Sequence, residues 1–231
     1  MKKMTLQEAI LARHSVRAYK ELPLTDADAQ SLQEKIDEVN RAGQLHIQLI
    51  RNEPKAFLGP FARYGKFSGV TDYLVMAGVK ADDLDERIGY YGEQLVLFAQ
   101  TIGLNTCWVG LSYTKVPGTY VLNDGEAIQA YIAIGYGKTQ GVSHKIKRIA
   151  QVSNASDNTP EWFIRGVEAA LLAPTAINQQ KFSFEYIGMK DGLHQVRAKK
   201  GFSLVGYTHM DLGIAKYHFE VAAGKENFIW A

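Results

Sequence analysis

The 231 residues carry 46% hydrophobic and 22% charged side chains and a net charge of +2, the balance of an ordinary globular chain of one large domain or two small ones. That excludes a disordered or collagen-like protein, and so small a net charge points to neither nucleic acid nor an acidic membrane surface as the main partner. A single cysteine, Cys107, excludes an internal disulfide and a multi-cysteine metal or iron–sulfur centre, and its apolar surroundings read as those of a buried structural thiol.

In chain order, Met1-Lys2-Lys3 starts basic but meets Glu8 and Arg13 before any apolar run develops, so no signal peptide is expected. No window approaches the ~18 uninterrupted apolar residues needed to cross a bilayer, and a cytoplasmic location is the expectation. Thr5-Leu6-Gln7-Glu8 has the form of a capping box, with Leu6, Ile10 and Leu11 at helical spacing. This helix delivers the run Arg13-His14-Ser15-Val16-Arg17. Thr25-Asp26-Ala27-Asp28 repeats the capping pattern, Leu32, Ile36 and Val39 make a helical stripe, and Gly43 is placed to end it. Leu45, Ile47 and Leu49 alternate as a strand, and Pro54 to Ser68 reads as loop. Asp72 to Val79 is a continuous apolar run typical of a buried strand, followed by a long helix with Ile88, Tyr91, Leu95, Phe98 and Ile102 on its face and Gly103 as its stop.

Asn105 to Leu111 predicts a short apolar strand or loop, Asn123-Asp124-Gly125 a turn, and Ile128 to Gly135 another buried strand. Residues 150–159 are small, polar and aperiodic, the one linker-like stretch, and divide the chain into 1–149 and 150–231. Thr159 and Pro160 then open a helix with Phe163, Val167, Ala170 and Leu171 as its stripe and Pro174 as its stop. Phe182, Phe184 and Tyr186 alternate as a strand, and a last helix runs from about Asp211 to Ala223 with Leu212, Ala215, Phe219 and Ala222 on one face. The run from Ile88 to Leu95 faintly resembles that from Leu212 to Phe219.

Two segments can carry chemistry. Arg13 and Arg17 bring two guanidinium forks, and Ser15 a hydroxyl, within five residues. This is a donor set suited to a phosphate or a carbonyl-and-nitrogen edge, although the same run also reads as a solvated basic patch at a helix end. In Ala169 to Phe184 a small-residue helix is broken by Pro174, and Thr175, Asn178 and Gln180 arrive in a loop before a strand. Their amides can bracket a heteroaromatic ring, or simply cap a helix and lead into a hairpin. The six histidines show no metal-ligand spacing, and neither a dinucleotide fingerprint, a Walker pattern nor a hydrolase elbow occurs.

Together these segments resemble the flavin-dependent nitroreductases. Arg13 to Tyr19 is similar to that family's opening motif, and Ala173 to Phe184 to its Ala-Pro-Ser-x-x-Asn-x-Gln motif, with Thr175 for Ser and Lys181 and Phe182 for Pro and Trp. Tyr91 to Gly110 resembles its long central helix and glycine turn, and Ile132 to Gly137 with Lys145, Lys147 and Arg148 its closing strand and basic tail. The Asn-Gln motif here follows the closing strand instead of the first helices. The resemblance therefore implies an α+β nitroreductase-like fold, a mixed antiparallel sheet flanked by helices, built as two fused half-domains that mimic the family's homodimer.

What the resemblance implies for the site is one FMN. Arg13, His14 and Ser15 would lie at its phosphate and ribityl end, Arg17 at the N1/C2-carbonyl edge and the Gly110 N–H near N5. Lys145, Lys147 and Arg148 would neutralise phosphate, and Pro174, Thr175 and Asn178 would contact the ring. The implied activity is ping-pong, NAD(P)H-dependent reduction of nitroaromatic, quinone or similar electron-poor acceptors, with the flavin carrying the chemistry and Arg17 and Gly110 supporting it. Tyr64, Phe67, Tyr113 and Tyr207 are candidate pocket aromatics. A carrier or sensor without efficient turnover, and a dehalogenase-like or flavin-destroying enzyme, remain alternatives, and the expected state is monomer or weak homodimer with no metal, nucleic acid or membrane partner.

Overall fold

The computed structural model describes residues 4–231; Met1, Lys2 and Lys3, which enter the leader reading, lie outside them. The chain groups into two compact units. One holds the residues up to Leu84 with Gln94–Ser143, the other Asp85–Glu93 with His144–Ala231.

In the first unit, α1 (Leu6–Ala12) opens on the expected capping box, the Thr5 hydroxyl accepting from the Glu8 N–H and the Glu8 carboxylate from the Thr5 N–H. Its stripe differs from expectation: Ala9 and Ile10 are buried, whereas Leu6 and Leu11 are exposed, because two turns offer room for only one inward face. In α2 (Asp26–Gly43) Thr25 caps the Asp28 N–H and Leu32, Ile36 and Val39 are buried as read. The left-handed C-cap falls on Gln44, with φ 50°, one residue past the glycine.

The first strand is shorter than its alternation predicts, β1 covering only Gln48–Ile50. Just before it, the Asn40 amide takes both backbone groups of Ile47, accepting from its N–H at 2.8 Å and donating to its carbonyl at 2.9 Å, so those groups do not join the ladder. Residues 54–64, read as loop, instead form a short 3₁₀ turn (Pro54–Phe57) and α3 (Pro60–Tyr64). Each begins on a proline, whose fixed φ suits a helix start, and the Glu53 carboxylate caps the N–H groups of Lys55 and Ala56.

Strands β2 (Asp72–Val79), β3 (Asn105–Val109) and β4 (Glu126–Gly135) complete an antiparallel sheet of order β1-β2-β4-β3, and α4 (Leu84–Thr101) is divided between the two units. Period-two burial gives the sheet two cores. On one side Tyr73, Val75, Cys107, Val109, Tyr131 and Ala133 pack with Val16, Tyr19 and Phe67. On the other, Ile134 packs with Leu32 of α2 and Ala99 of α4.

The second unit holds α5 (Glu161–Leu171), the hairpin β5 (Phe182–Lys190) and β6 (Leu193–Lys200), α6 (Thr208–Ala223) and β7 (Ile229–Trp230), which pairs parallel to β6. Thr159 does not cap α5: Pro160 is the N-cap, and the Thr159 hydroxyl accepts from the Ser156 N–H. Residues 150–159 are less linker-like than their composition, since Ile149–Gln151 forms a 3₁₀ turn and Ser153 bridges to Phe184. Leu212, Ala215 and Phe219 of α6 are buried as expected and Ala222 only half-buried, while polar Asp211, His218 and Glu220 are buried too. Facing Phe219, Gly166 of α5 leaves no room for a Cβ, which would stand 2.7 Å from the ring. The fold is α+β, with an antiparallel four-stranded sheet, a mixed three-stranded sheet and flanking helices. No helix among the described residues is long and apolar enough to cross a membrane.

Candidate functional site

In the first unit the basic run leaves α1 as an extended strip. Arg13 is the C-cap of α1, the Val16 N–H donates to the Thr106 carbonyl of β3 at 3.0 Å, and the Lys20 N–H donates to the Tyr136 carbonyl beyond β4 at 2.8 Å. Val16 and Tyr19 anchor the strip in the core. Burial therefore follows a three-residue rhythm and not simple alternation: Arg13 is 3% exposed, His14 and Ser15 are half-buried and Arg17 is exposed. Gly141, at φ 76°, closes against the strip, where a Cβ would stand 2.7 Å from the His14 Cβ.

The Cys107 thiol senses this strip. Burial pushes its pKa up, opposed by the Arg17 guanidinium, a hydrogen bond with Ser15 and the Arg13 guanidinium. Both cations and the hydroxyl thus act on one buried point of β3. The Arg17 guanidinium also lies 5.9 Å from the Phe67 ring centroid, a cation–π distance. Gly110 follows β3 in a bend and is half-buried. These groups supply donors and positive charge, which suits an anion or an electron-rich ring edge.

In the second unit Pro174 is buried, Thr175 half-buried and Asn178 exposed. Thr175 to Gln180 form a tight turn with three non-glycine residues in the left-handed region, Ile177 (φ 46°), Asn178 (58°) and Gln180 (46°). Its amides are turned to holding it. Asn178 Nδ2 donates to the Lys145 carbonyl and its Oδ1 accepts from Gln180 Nε2, while Gln180 Oε1 accepts from the Lys147 N–H. The Lys147 ammonium donates to the carbonyls of Gln179 at 3.1 Å and Gln180 at 2.6 Å, and burial and nearby Lys181 lower its pKa. Lys145 and Arg148 are exposed.

Asp211, Gln179 and Lys147 hold this turn, and sequence reasoning assigned none of them that role. The only signal was an acidic residue in a first helical turn. Among the candidate aromatics, Tyr64 is 89% exposed and Phe67 buried. Tyr113 stacks on Tyr131 with centroids 3.9 Å apart, and Tyr207 is the left-handed N-cap of α6. A shallow pocket of about 220 Å³ in the second unit is lined by residues 150–154 and 183–185, which include none of the candidate cofactor-binding residues.

The α+β fold is nitroreductase-like, and a family match supports a general oxidoreductase role. A family model described as "Putative TM nitroreductase" matches residues 5–223, and the chain belongs to that family. It is similar to a "putative nitroreductase" of Thermotoga maritima at 22% identity, covering 98% of this chain and 87% of that one with a TM-score of 0.66. It is also similar to a "putative nitroreductase in complex with FMN" from Desulfovibrio desulfuricans at 16% identity, covering 69% of this chain and all of the other with a TM-score of 0.53. Comparison with curated proteins finds no match.

Proposed function

We propose that the chain is an FMN-dependent NAD(P)H oxidoreductase that reduces nitroaromatic, quinone or similar electron-poor acceptors. The observation that carries this reading is that Arg13, Ser15 and Arg17 lie on one extended strip, anchored by Val16 and Tyr19, beside the buried Cys107 of β3, whose thiol all three act upon. That donor set fits FMN, whose phosphate and electron-rich N1/C2-carbonyl edge both call for cations and short hydroxyl donors. Family membership and the FMN bound by the D. desulfuricans relative support the choice of cofactor.

In this reading Arg13, His14 and Ser15 hold the phosphate and ribityl end, Arg17 the N1/C2-carbonyl edge, and the Gly110 N–H is near N5. Pro174, Thr175 and Asn178 contact the ring, with Lys145 and Arg148 adding positive charge. When bound, FMN supplies ping-pong hydride transfer from NAD(P)H to the acceptor. The chain's own part is binding, orientation and charge: Arg17 favours negative charge at the ring edge it faces, and no acid–base pair is required. With the reading go two fused halves, 1–149 and 150–231, one FMN per chain, a monomer or weak homodimer, and a cytoplasmic location.

The visible spectrum of the protein, purified, loaded with FMN and freed of excess, tests this. About one FMN retained per chain, with prompt reoxidation of the photoreduced protein by a nitroarene, supports it. A protein that retains no FMN sinks it, and retention without reoxidation replaces the reductase by a carrier.

A further inference from the structure

We propose that Asp211 is a positioning residue: from the first turn of α6 its carboxylate fixes the strained Thr175–Gln180 turn in the form that meets the flavin. The role in flavin binding rests on the reading above; the hold on the turn does not.

Left-handed backbone is costly for residues with a Cβ, most of all for a β-branched one such as Ile177. Three such residues within four positions persist only where their surroundings dictate them. The bonds inside the turn are local. The Asn178 N–H donates to the Thr175 carbonyl, the Gln179 N–H to that of Ala176, and the Gln180 N–H to the Thr175 hydroxyl. They close the turn without aiming it. Aim comes from two arms. On the far side the Lys147 ammonium draws in the carbonyls of Gln179 and Gln180. On the near side Asp211 Oδ1 accepts from the Ala176 N–H at 3.0 Å and Oδ2 from Gln179 Nε2 at 2.7 Å. Gln179 Nε2 also donates to the Gly206 carbonyl, tying the turn to the segment that leads into α6.

A carboxylate in the first turn of a helix ordinarily favours its own N-terminus. Here α6 has no side-chain cap, and both Asp211 oxygens go to the turn instead. Only 2% exposed, Asp211 is a buried acid whose recorded donors both belong to that turn.

The test is residue-resolved amide exchange on the flavin-free protein, with FMN affinity as a separate readout. In Asp211→Ala the Ala176 and Gln179 amides are expected to exchange at least about tenfold faster, and FMN to bind about tenfold more weakly or worse. In Asp211→Asn, whose Oδ1 can still accept from Ala176, the Ala176 amide stays protected. A merely structural loss would not give that rescue. Unchanged exchange in Asp211→Ala, equal loss in both variants, or unchanged FMN affinity with a loosened turn each overturns the proposal. Should Asp211→Ala not fold, Gln179→Ala removes the side-chain bonds to Asp211 and to the Gly206 carbonyl while leaving the Ala176 N–H on Asp211, and must loosen residues 179–181 in a folded protein. A wild type that binds no FMN fails the functional reading, while the exchange pattern still decides the hold on the turn.

Discussion

Gly89 of α4 and Gly213 of α6 meet reciprocally. A Cβ at Gly89 would overlap the Met210 carbonyl oxygen and crowd the Ile214 nitrogen, and a Cβ at Gly213 would overlap the Glu86 carbonyl oxygen and crowd the Tyr90 nitrogen. Gly89 and Gly213, Glu86 and Met210, Tyr90 and Ile214 are each separated by the same 124 positions. Residue i of one helix touches j of the other, and the counterpart of j touches the counterpart of i, as across the two-fold axis of a homodimer. Such reciprocity between the segments whose sequences faintly repeat supports the reading of the chain as two fused halves.

Because backbone and not a flexible side chain stands opposite each glycine, neither crossing can absorb a methyl group without moving the helix. Gly89→Ala and Gly213→Ala are each expected to cost about 1–3 kcal/mol, even after the helix-propensity gain of alanine. The pair should cost less than the sum, since the first shift makes room for the second. Urea unfolding of both single variants and the double checks this, and unaltered midpoints would show that the helices part freely.

Legibility in the sequence varied with the kind of signal. Caps and buried runs were plain: the capping box of Thr5 with Glu8, the N-cap of Thr25 on the Asp28 N–H, and β2 over its whole length. β6 was not read, because only Val196 of its eight residues is buried and no apolar alternation marks it. Its signal was the turn, Asp191-Gly192, where both residues have positive φ, as a two-residue hairpin requires. In the site, the donors of the basic strip were evident from residue type. The strained turn was not, since Ile177 and Gln180 carry no hint of left-handed backbone, and its hold comes from Asp211, some thirty residues further on.

Burial raises the Asp211 carboxyl to about 6, against the opposing hydrogen bonds from Ala176 and Gln179. A folded pKa above the unfolded value of 3.8 means that the folded state holds the proton more tightly. The stability it gives is complete below pH 3.8 and is lost as pH rises to about 6, by about 3 kcal/mol. Relative to Asp211→Asn, the wild type should therefore weaken between pH 4 and 6.5 in paired urea titrations. A difference that stays flat over that range would mean that Asp211 ionises normally in the fold.

Glu126 shows the opposite sign. Burial raises its pKa, but hydrogen bonds from His46 at 2.8 Å and from the backbone and side chain of Asn123 outweigh it, and the carboxyl is held below its ordinary value. This contribution is present above the unfolded pKa and lost as pH falls through the folded one. Glu126→Gln is expected to be less stable at pH 7 by about 1–3 kcal/mol, the gap narrowing in acid. Thermal unfolding from pH 3 to 7 measures it, and a gap that widens in acid would contradict the assignment.

Arg17 and Ser15 are proposed to serve different parts of the flavin, so their losses should be separable by ligand. Arg17 is exposed above Phe67, and its removal leaves the core anchors Val16 and Tyr19 intact. Arg17→Ala should weaken FMN and riboflavin alike, by about 10- to 100-fold, the loss of a charge-assisted hydrogen bond at the ring edge. Arg17→Lys should recover part of it, since a point charge replaces a planar fork. Ser15→Ala, at the phosphate and ribityl end, should weaken FMN more than riboflavin. Flavin-fluorescence quenching titrations of the three variants with both ligands decide the matter: an Arg17→Ala effect confined to FMN would move Arg17 from the ring edge to the phosphate.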